Sequence, residues 1–270
     1  MKIPCYIADA FAEGPLRGNP AAVCVTEAPL PAPLMQRIAE ENNLPETAFL
    51  VRRQPGCYAL RWFTPEQEVD LCGHATLASA FVLSCVLKET DSPAFYTRSG
   101  ELRAQVEDGL VTLDFPARPG TPSREIGAVT QALGAVPAEL YLARDYLAVF
   151  PKEEDVRLLA PDWKKLAALR GAFAVIATAP GEECDFVSRF FIAECGGTED
   201  PVTGSAHCTL VPYWAQRLQK QELSARQLSR RGGALLCRDC GERVSIGGRA
   251  VLYARGEIEL PAGLLPDEAS

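Results

Sequence analysis

Two passages hold most of the side chains that could move a proton or grip an anion. One is RWFTPEQEVDLCGHATLASAF from Arg61, the other RFFIAECGGTEDPVTGSAHCTL from Arg189. Each runs from a basic–aromatic–aromatic strand through an acidic loop to a glycine and a polar residue, then into an apolar helical pattern. Gly73 matches Gly204, His74 matches Ser205 and Cys72 matches Thr203, at an offset of 131 residues from 73 to 204. Free N–H groups at a helix start, with the positive end of the helix dipole behind them, bind carboxylates. Gly73 and Gly204 would let such a ligand approach the backbone closely. Two such starts facing a common cleft would form a site for a small anionic metabolite. Both histidines of the chain, His74 and His207, fall in these passages.

The elements that must position these groups read as a duplication. The offset is close to half of the 270 residues, which implies two similar domains, each wrapped around one buried helix. In the first half, 2–8, 21–25, 47–51, 58–63, 101–107 and 110–115 have strand character, and 34–43 has helical spacing ended by Pro45. Residues 75–87 are apolar around nearly the whole circumference, so that helix must be enclosed by protein. Pro116, Pro119 and Pro122 mark 116–122 as a linker. Beyond it, 129–133 and 162–169 read as helices, and 146–150, 173–178 and 188–193 as strands. The helix after Ser205 contains Pro212, which should bend it or shift its register.

Composition narrows the function classes. A net charge of −8 and no long Lys/Arg run argue against nucleic acid as a partner. The longest apolar run is too short to span a bilayer, and the opening MKIPCYIADAF is not read as a signal peptide. The ten cysteines are scattered in mostly apolar contexts, which points to free thiols in a reducing cytoplasm. Cys237 and Cys240 form half of a tetrahedral zinc site, and the two histidines do not supply the other half. No metal or cofactor is expected, and neither a G-x-x-x-x-G-K-[ST] nor a G-x-G-x-x-G motif is present.

The motifs IADAF, RGNPAAV, ENNLPETAFL, RWFTPEQEVDLCGHATLASA, EDPVTGSAH and SRRGG together resemble the phenazine-biosynthesis isomerase (PhzF-like) family. Within it the match is closest to the vertebrate MAWD-binding proteins. The resemblance implies an α+β fold like that of diaminopimelate epimerase. It would comprise two pseudo-symmetric domains, each a curved sheet or barrel around a central helix. Domain one would cover 1–117, joined by about 260–270, and domain two 118–259. The resemblance makes Glu46 of LPETAF the catalytic acid/base, its pKa lifted by an apolar cleft with Asp200 adding to the push. It makes His74, Asp200 and Ser205 the groups that hold and polarise substrate, with Gly73 and Gly204 at the helix starts. Asn19 of RGNP would lie at the rim of the site.

The implied activity is a cofactor-independent isomerase that shifts a proton and a double bond in a small carboxylate-bearing metabolite. Two alternatives remain open at this point. One is a catalytically silent scaffold on the same fold, with a WD-repeat protein as partner by resemblance. The other is a cysteine-dependent epimerase. Related epimerases use two thiols, one at each helix start, whereas this chain has Cys72 and Thr203 there. A hydroxyl is too weak an acid or base to replace a thiolate, which disfavours two-base racemisation and leaves Cys72 inert or a wall of the cleft. The resemblance also implies homodimers.

Overall fold

A computed structural model describes residues 1–193 and 197–261. The chain divides into two compact units. The first is Met1–Leu113 together with the chain from Gly248 onward, and the second is Asp114–Gly247.

In the first unit β1 (Lys2–Ala10) and β2 (Asn19–Thr26) are antiparallel, and α1 (Ala32–Asn42) carries the chain to β3 (Glu46–Gln54), parallel to β2. Next come β4 (Cys57–Phe63), β5 (Glu68–Val69), α2 (Gly73–Phe81), β6 (Ala94–Thr97), β7 (Gly100–Glu107) and β8 (Leu110–Pro116). β4 is antiparallel to β3 and β5 but parallel to β6. α2 is buried from Gly73 through Ala80, in contact with β1, β2, β3 and β7. This is what an apolar circumference requires. Thr76 and Ser79 do not break that rule, because each hydroxyl donates to a carbonyl four residues back, Cys72 at 2.5 Å and Ala75 at 2.7 Å. The helix then continues as a π turn over Val82–Val86.

α1 covers the other face of β2 and β3, where Leu34, Met35, Ile38 and Ala39 pack with Ile3, Cys24, Phe49 and Phe63. Both faces of these two strands are therefore buried, which explains why they read as continuous apolar runs. α1 ends in Asn43, in the left-handed region at φ 46°, and Pro45 prevents any continuation. Asn42 Nδ2 donates to Thr47 Oγ1 at 3.1 Å across the corner, which delivers Glu46 as the first residue of β3.

The second unit repeats this connectivity. After β9 (Thr121–Pro122) and α3 (Ile126–Leu133), β10 (Glu139–Leu142) and β11 (Tyr146–Val149) are antiparallel. α4 (Glu153–Arg157) and α5 (Trp163–Ala168) lead to β12 (Ala174–Pro180), parallel to β11. β13 (Phe186–Ile192) is antiparallel to β12 and to β14 (Thr198–Asp200), and parallel to β15 (Glu222–Gln227). A 3-10 turn (Gly204–Ala206) opens α6 (His207–Leu218), and β16 (Gly233–Asp239) and β17 (Arg243–Glu259) follow β15. α6 runs through Pro212 but is less enclosed than α2, since Gln216, Arg217 and Leu218 at its end are exposed. Its indole Trp214 stacks on Phe186 and donates to Thr178 Oγ1 at 3.0 Å.

β17 is shared along its length. Val244–Gly247 pair with β16, and Ala250–Glu259 lie along β1, from Ala10↔Ala250 to Lys2↔Glu259. The return to the first unit thus begins at Gly248 rather than at 260. Leu260 exchanges backbone hydrogen bonds with Met1, and 262–270 lie outside the described residues.

Gly18 has φ 75° in the turn between β1 and β2, and a Cβ there would sit 2.3 Å from the Ala10 carbonyl oxygen. Gly18→Ala should destabilise the protein by about 1–3 kcal/mol, measured by urea unfolding. An unchanged midpoint would show that this turn relaxes freely.

Candidate active site

In the first unit Asn19, Glu46, Cys72 and His74 come together at the start of α2. Asn19 opens β2 and Glu46 opens the parallel strand β3, where Ala21 is paired with Glu46. Cys72 is the N-cap of α2 in extended conformation, and no side chain caps the helix. His74 is 5% exposed and Asn19 is fully buried. Asn19 is therefore not at a rim. It lies behind the imidazole, its Nδ2 3.2 Å from His74 Nδ1, because the tight Gly18 turn folds the start of β2 inward.

Three groups meet the His74 ring. Glu46 Oε2 lies 2.9 Å from Nε2, while Asn19 and, at 3.5 Å, Cys72 Sγ face Nδ1. The Glu46–His74 contact is close in distance but is not aligned as a hydrogen bond. Both atoms are buried without an in-line partner among the described residues. Burial alone would lower the His74 pKa. The Cys72 sulfur and the Glu46 carboxylate outweigh it, and the pKa stands well above the usual imidazole value. Burial, and then the Glu46 charge, push the Cys72 thiol up, so it stays protonated at neutral pH. An amide nitrogen at Nδ1 suits the neutral ring, whereas the charged ring needs that amide turned to present its oxygen.

Glu46, Cys72 and His74 each offer a metal-ligating atom, all within 4.8 Å of one another. The imidazole stands between them, with Glu46 on its Nε2 side and Cys72 on its Nδ1 side. A three-ligand ion site would require the ring to turn and release Asn19. Cys237 is buried in β16 and Cys240 is exposed beyond it.

In the second unit Asp200, Thr203, Gly204 and Ser205 gather at the start of the turn into α6. Thr203 Oγ1 donates to Asp200 Oδ2 at 2.5 Å. Gln227, buried in β15, accepts from Thr203 N at 2.9 Å and donates to the Asp200 carbonyl at 2.7 Å. Ser205 Oγ accepts from Arg144 Nη2 at 3.3 Å, and Arg144 pairs with buried Asp145 at 2.7 Å. Gln227 and Arg144 were not legible as site residues, because each is distant in sequence from the motif it braces.

The two units share one bracing device. Arg61 forms a two-point pair with Glu68, both contacts at 2.7 Å, and lies over the Phe63 ring. Arg189 pairs with Glu199 at 2.7 and 2.9 Å and lies over Phe191. Each pair ties the strand to the acidic loop that leads to the helix start, with fork geometry that arginine supplies and lysine does not.

The repeat also explains His207, which corresponds to Thr76 rather than to His74. Its Nδ1 lies 2.9 Å from the Thr203 carbonyl, as Thr76 bonds the Cys72 carbonyl. Burial pushes the His207 pKa down to about 4, against the opposing pull of that carbonyl. An unfolded histidine titrates near 6.5, so below that value the unfolded state binds the extra proton. Stability should fall as pH drops from about 6.5 to about 4, by on the order of 3 kcal/mol from this residue. His207→Asn keeps a donor for Thr203 but cannot charge, so its urea midpoint should be flatter over that range. Parallel pH profiles for the two proteins would contradict this.

A family model described as phenazine biosynthesis-like protein matches residues 8–256. An uncharacterized isomerase of Pseudomonas aeruginosa is 50% identical over 264 residues, spanning 96% of this chain and 100% of that one. The phenazine biosynthesis-like domain-containing protein of Homo sapiens is 41% identical over 288 residues, spanning 96% and 99%. A PhzF-family crystal structure from Enterococcus faecalis matches with a TM-score of 0.93 at 48% identity, covering 96% of this chain and 100% of that one. A hydroxyproline epimerase from Agrobacterium vitis shares the fold alone, with a TM-score of 0.58 at 12% identity over 95% and 92% of the two chains. The chain is a member of the phenazine biosynthesis-like (PhzF) family.

Proposed function

We propose that this protein is an isomerase that needs no cofactor and uses Glu46 to move a proton, and with it a double bond, within a small carboxylate-bearing metabolite. The observation that carries this reading is the Glu46–His74 contact, in which a carboxylate and an imidazole converge without completing a hydrogen bond. The bacterial relatives named isomerases support the reaction class.

The step balances within one molecule of substrate. The Glu46 carboxylate takes a proton from one carbon, the C–H electron pair shifts the double bond, and the Glu46 acid returns the proton to another carbon. His74, charged beside Glu46, stabilises the negative charge that develops between the two transfers. In this reading Asp200 and Ser205 hold substrate. The Ser205 hydroxyl accepts from Arg144, which leaves its own proton to donate. Gly73 and Gly204 offer backbone N–H groups to carboxylate oxygens.

A thiol-based epimerase fits less well. Cys72 is held as a thiol, and Thr203 spends its hydroxyl proton on Asp200. A silent scaffold would leave a buried carboxylate–imidazole pair with no task, although such pairs rarely stabilise a fold.

Glu46→Gln should cut deuterium incorporation from heavy water into a metabolite pool by about 10²–10⁴-fold, because it retains shape but cannot carry the proton. Cys72→Ser should cost far less. Loss of exchange in Cys72→Ser with activity kept in Glu46→Gln would transfer the chemistry to the thiol. An absence of exchange in the wild type across carboxylate pools would favour the scaffold.

A further inference from the structure

Far from the α2 start, β1 and β2 place two cysteines side by side. Cys5 and Cys24 are direct partners in the antiparallel register. Directly opposed residues of such a pair project to the same face, with Cα atoms about 4.5 or 5.5 Å apart depending on the site. Both spacings lie in the range that a disulfide spans, about 4.4–6.8 Å. The shared face is confirmed by packing, since Cys24 belongs to the cluster under α1 and Cys5 packs against that same cluster. Each thiol perturbs the titration of the other.

We propose that Cys5 and Cys24 form a peroxide-sensitive dithiol, which closes to a disulfide without rearrangement of the sheet.

The pair is asymmetric in a way that suits this chemistry. Cys5 is partly exposed and Cys24 is buried. The neighbouring Cys24 thiol lowers the Cys5 pKa, and the same proximity, together with burial, raises that of Cys24. The accessible sulfur is thus the better thiolate and the hidden one the resolving thiol. Among the other described thiols, burial raises Cys208 and Cys237, and Cys240 is exposed beyond the end of β16.

The reaction consumes one peroxide and releases two waters. The Cys5 thiolate attacks a peroxide oxygen, the O–O bond breaks, and the departing hydroxide takes a proton, leaving a sulfenic acid on Cys5. The Cys24 sulfur then attacks the Cys5 sulfur, the S–O bond breaks, and the second water carries away the Cys24 proton. Two thiols are oxidised to one disulfide while the peroxide is reduced.

The test uses the whole protein in native buffer with hydrogen peroxide, followed by alkylation, tryptic digestion and mass spectrometry. Cleavage after Lys2, Arg17 and Arg37 leaves Cys5 in peptide 3–17 and Cys24 in peptide 18–37, each with no other cysteine. The expected result is a single cross-linked species of these peptides, lighter by two hydrogens and separated by dithiothreitol. In Cys24→Ser the sulfenic acid on Cys5 should persist and be trapped by dimedone. Should that variant fail to fold, the wild-type peptide map decides. The proposal is overturned if both thiols remain alkylatable while other cysteines oxidise, or if the cross-link forms only in urea.

Discussion

Burial of the α2 start is the constraint from which the candidate site follows. A helix N-terminus in water would leave Glu46 and His74 as an ordinary solvated pair, with each charge screened. Here β1, β2, β3 and β7 touch the helix, and the imidazole retains 5% of its exposure. In so dry a setting the neighbouring Cys72 sulfur and Glu46 carboxylate together move the ring's pKa up despite desolvation. Buried ion pairs commonly cost stability. Around this pair the hydroxyls are committed, with Thr76 and Ser79 bonded into the helix and Thr47 to Asn42.

Duplication supplies the frame and divergence supplies the chemistry. The Arg–Glu fork over an aromatic ring appears in both units and orders the same loop in each. The bond back to the N-cap carbonyl is also repeated, by Thr76 in one unit and His207 in the other. Differences concentrate at the cap and the residue two beyond it. Cys72 and His74 place a thiol and an imidazole in the first unit, while Thr203 and Ser205 place two hydroxyls in the second. The fold therefore tolerates exchange at the cap and two residues beyond it while holding the positions that shape the helix start.

Much of this was legible in the chain before its structure. The enclosed helix announced itself by an apolar circumference, and the matched glycines gave the repeat. Strands 47–51 and 58–63 stood out because both of their faces are covered or nearly so. The strands after Gly232 were not legible. β17 carries Gly247 and Gly248 near its middle and alternates with exposed residues beyond them, which reads as a loop. Nor could residue type alone bring Glu46 to His74, since the contact depends on the parallel pairing of β2 with β3. Resemblance supplied that link. Asn19 was misplaced at a rim because RGNP looks like an exposed turn, whereas the close approach of Gly18 to the Ala10 carbonyl draws it inside.

The pairing of β1 with β17 has a consequence for biosynthesis. Residues 2–10 are synthesised about 240 residues ahead of their outer partners, 250–259. Until then β1 has one neighbour, β2, and an open row of backbone donors and acceptors on its other side. Translation at about 5–20 residues per second keeps that edge uncovered for on the order of ten seconds or more. The second unit, continuous in sequence, can complete its own pairings during that interval. The first unit thus closes only after the second has been synthesised, when 250–259 arrive.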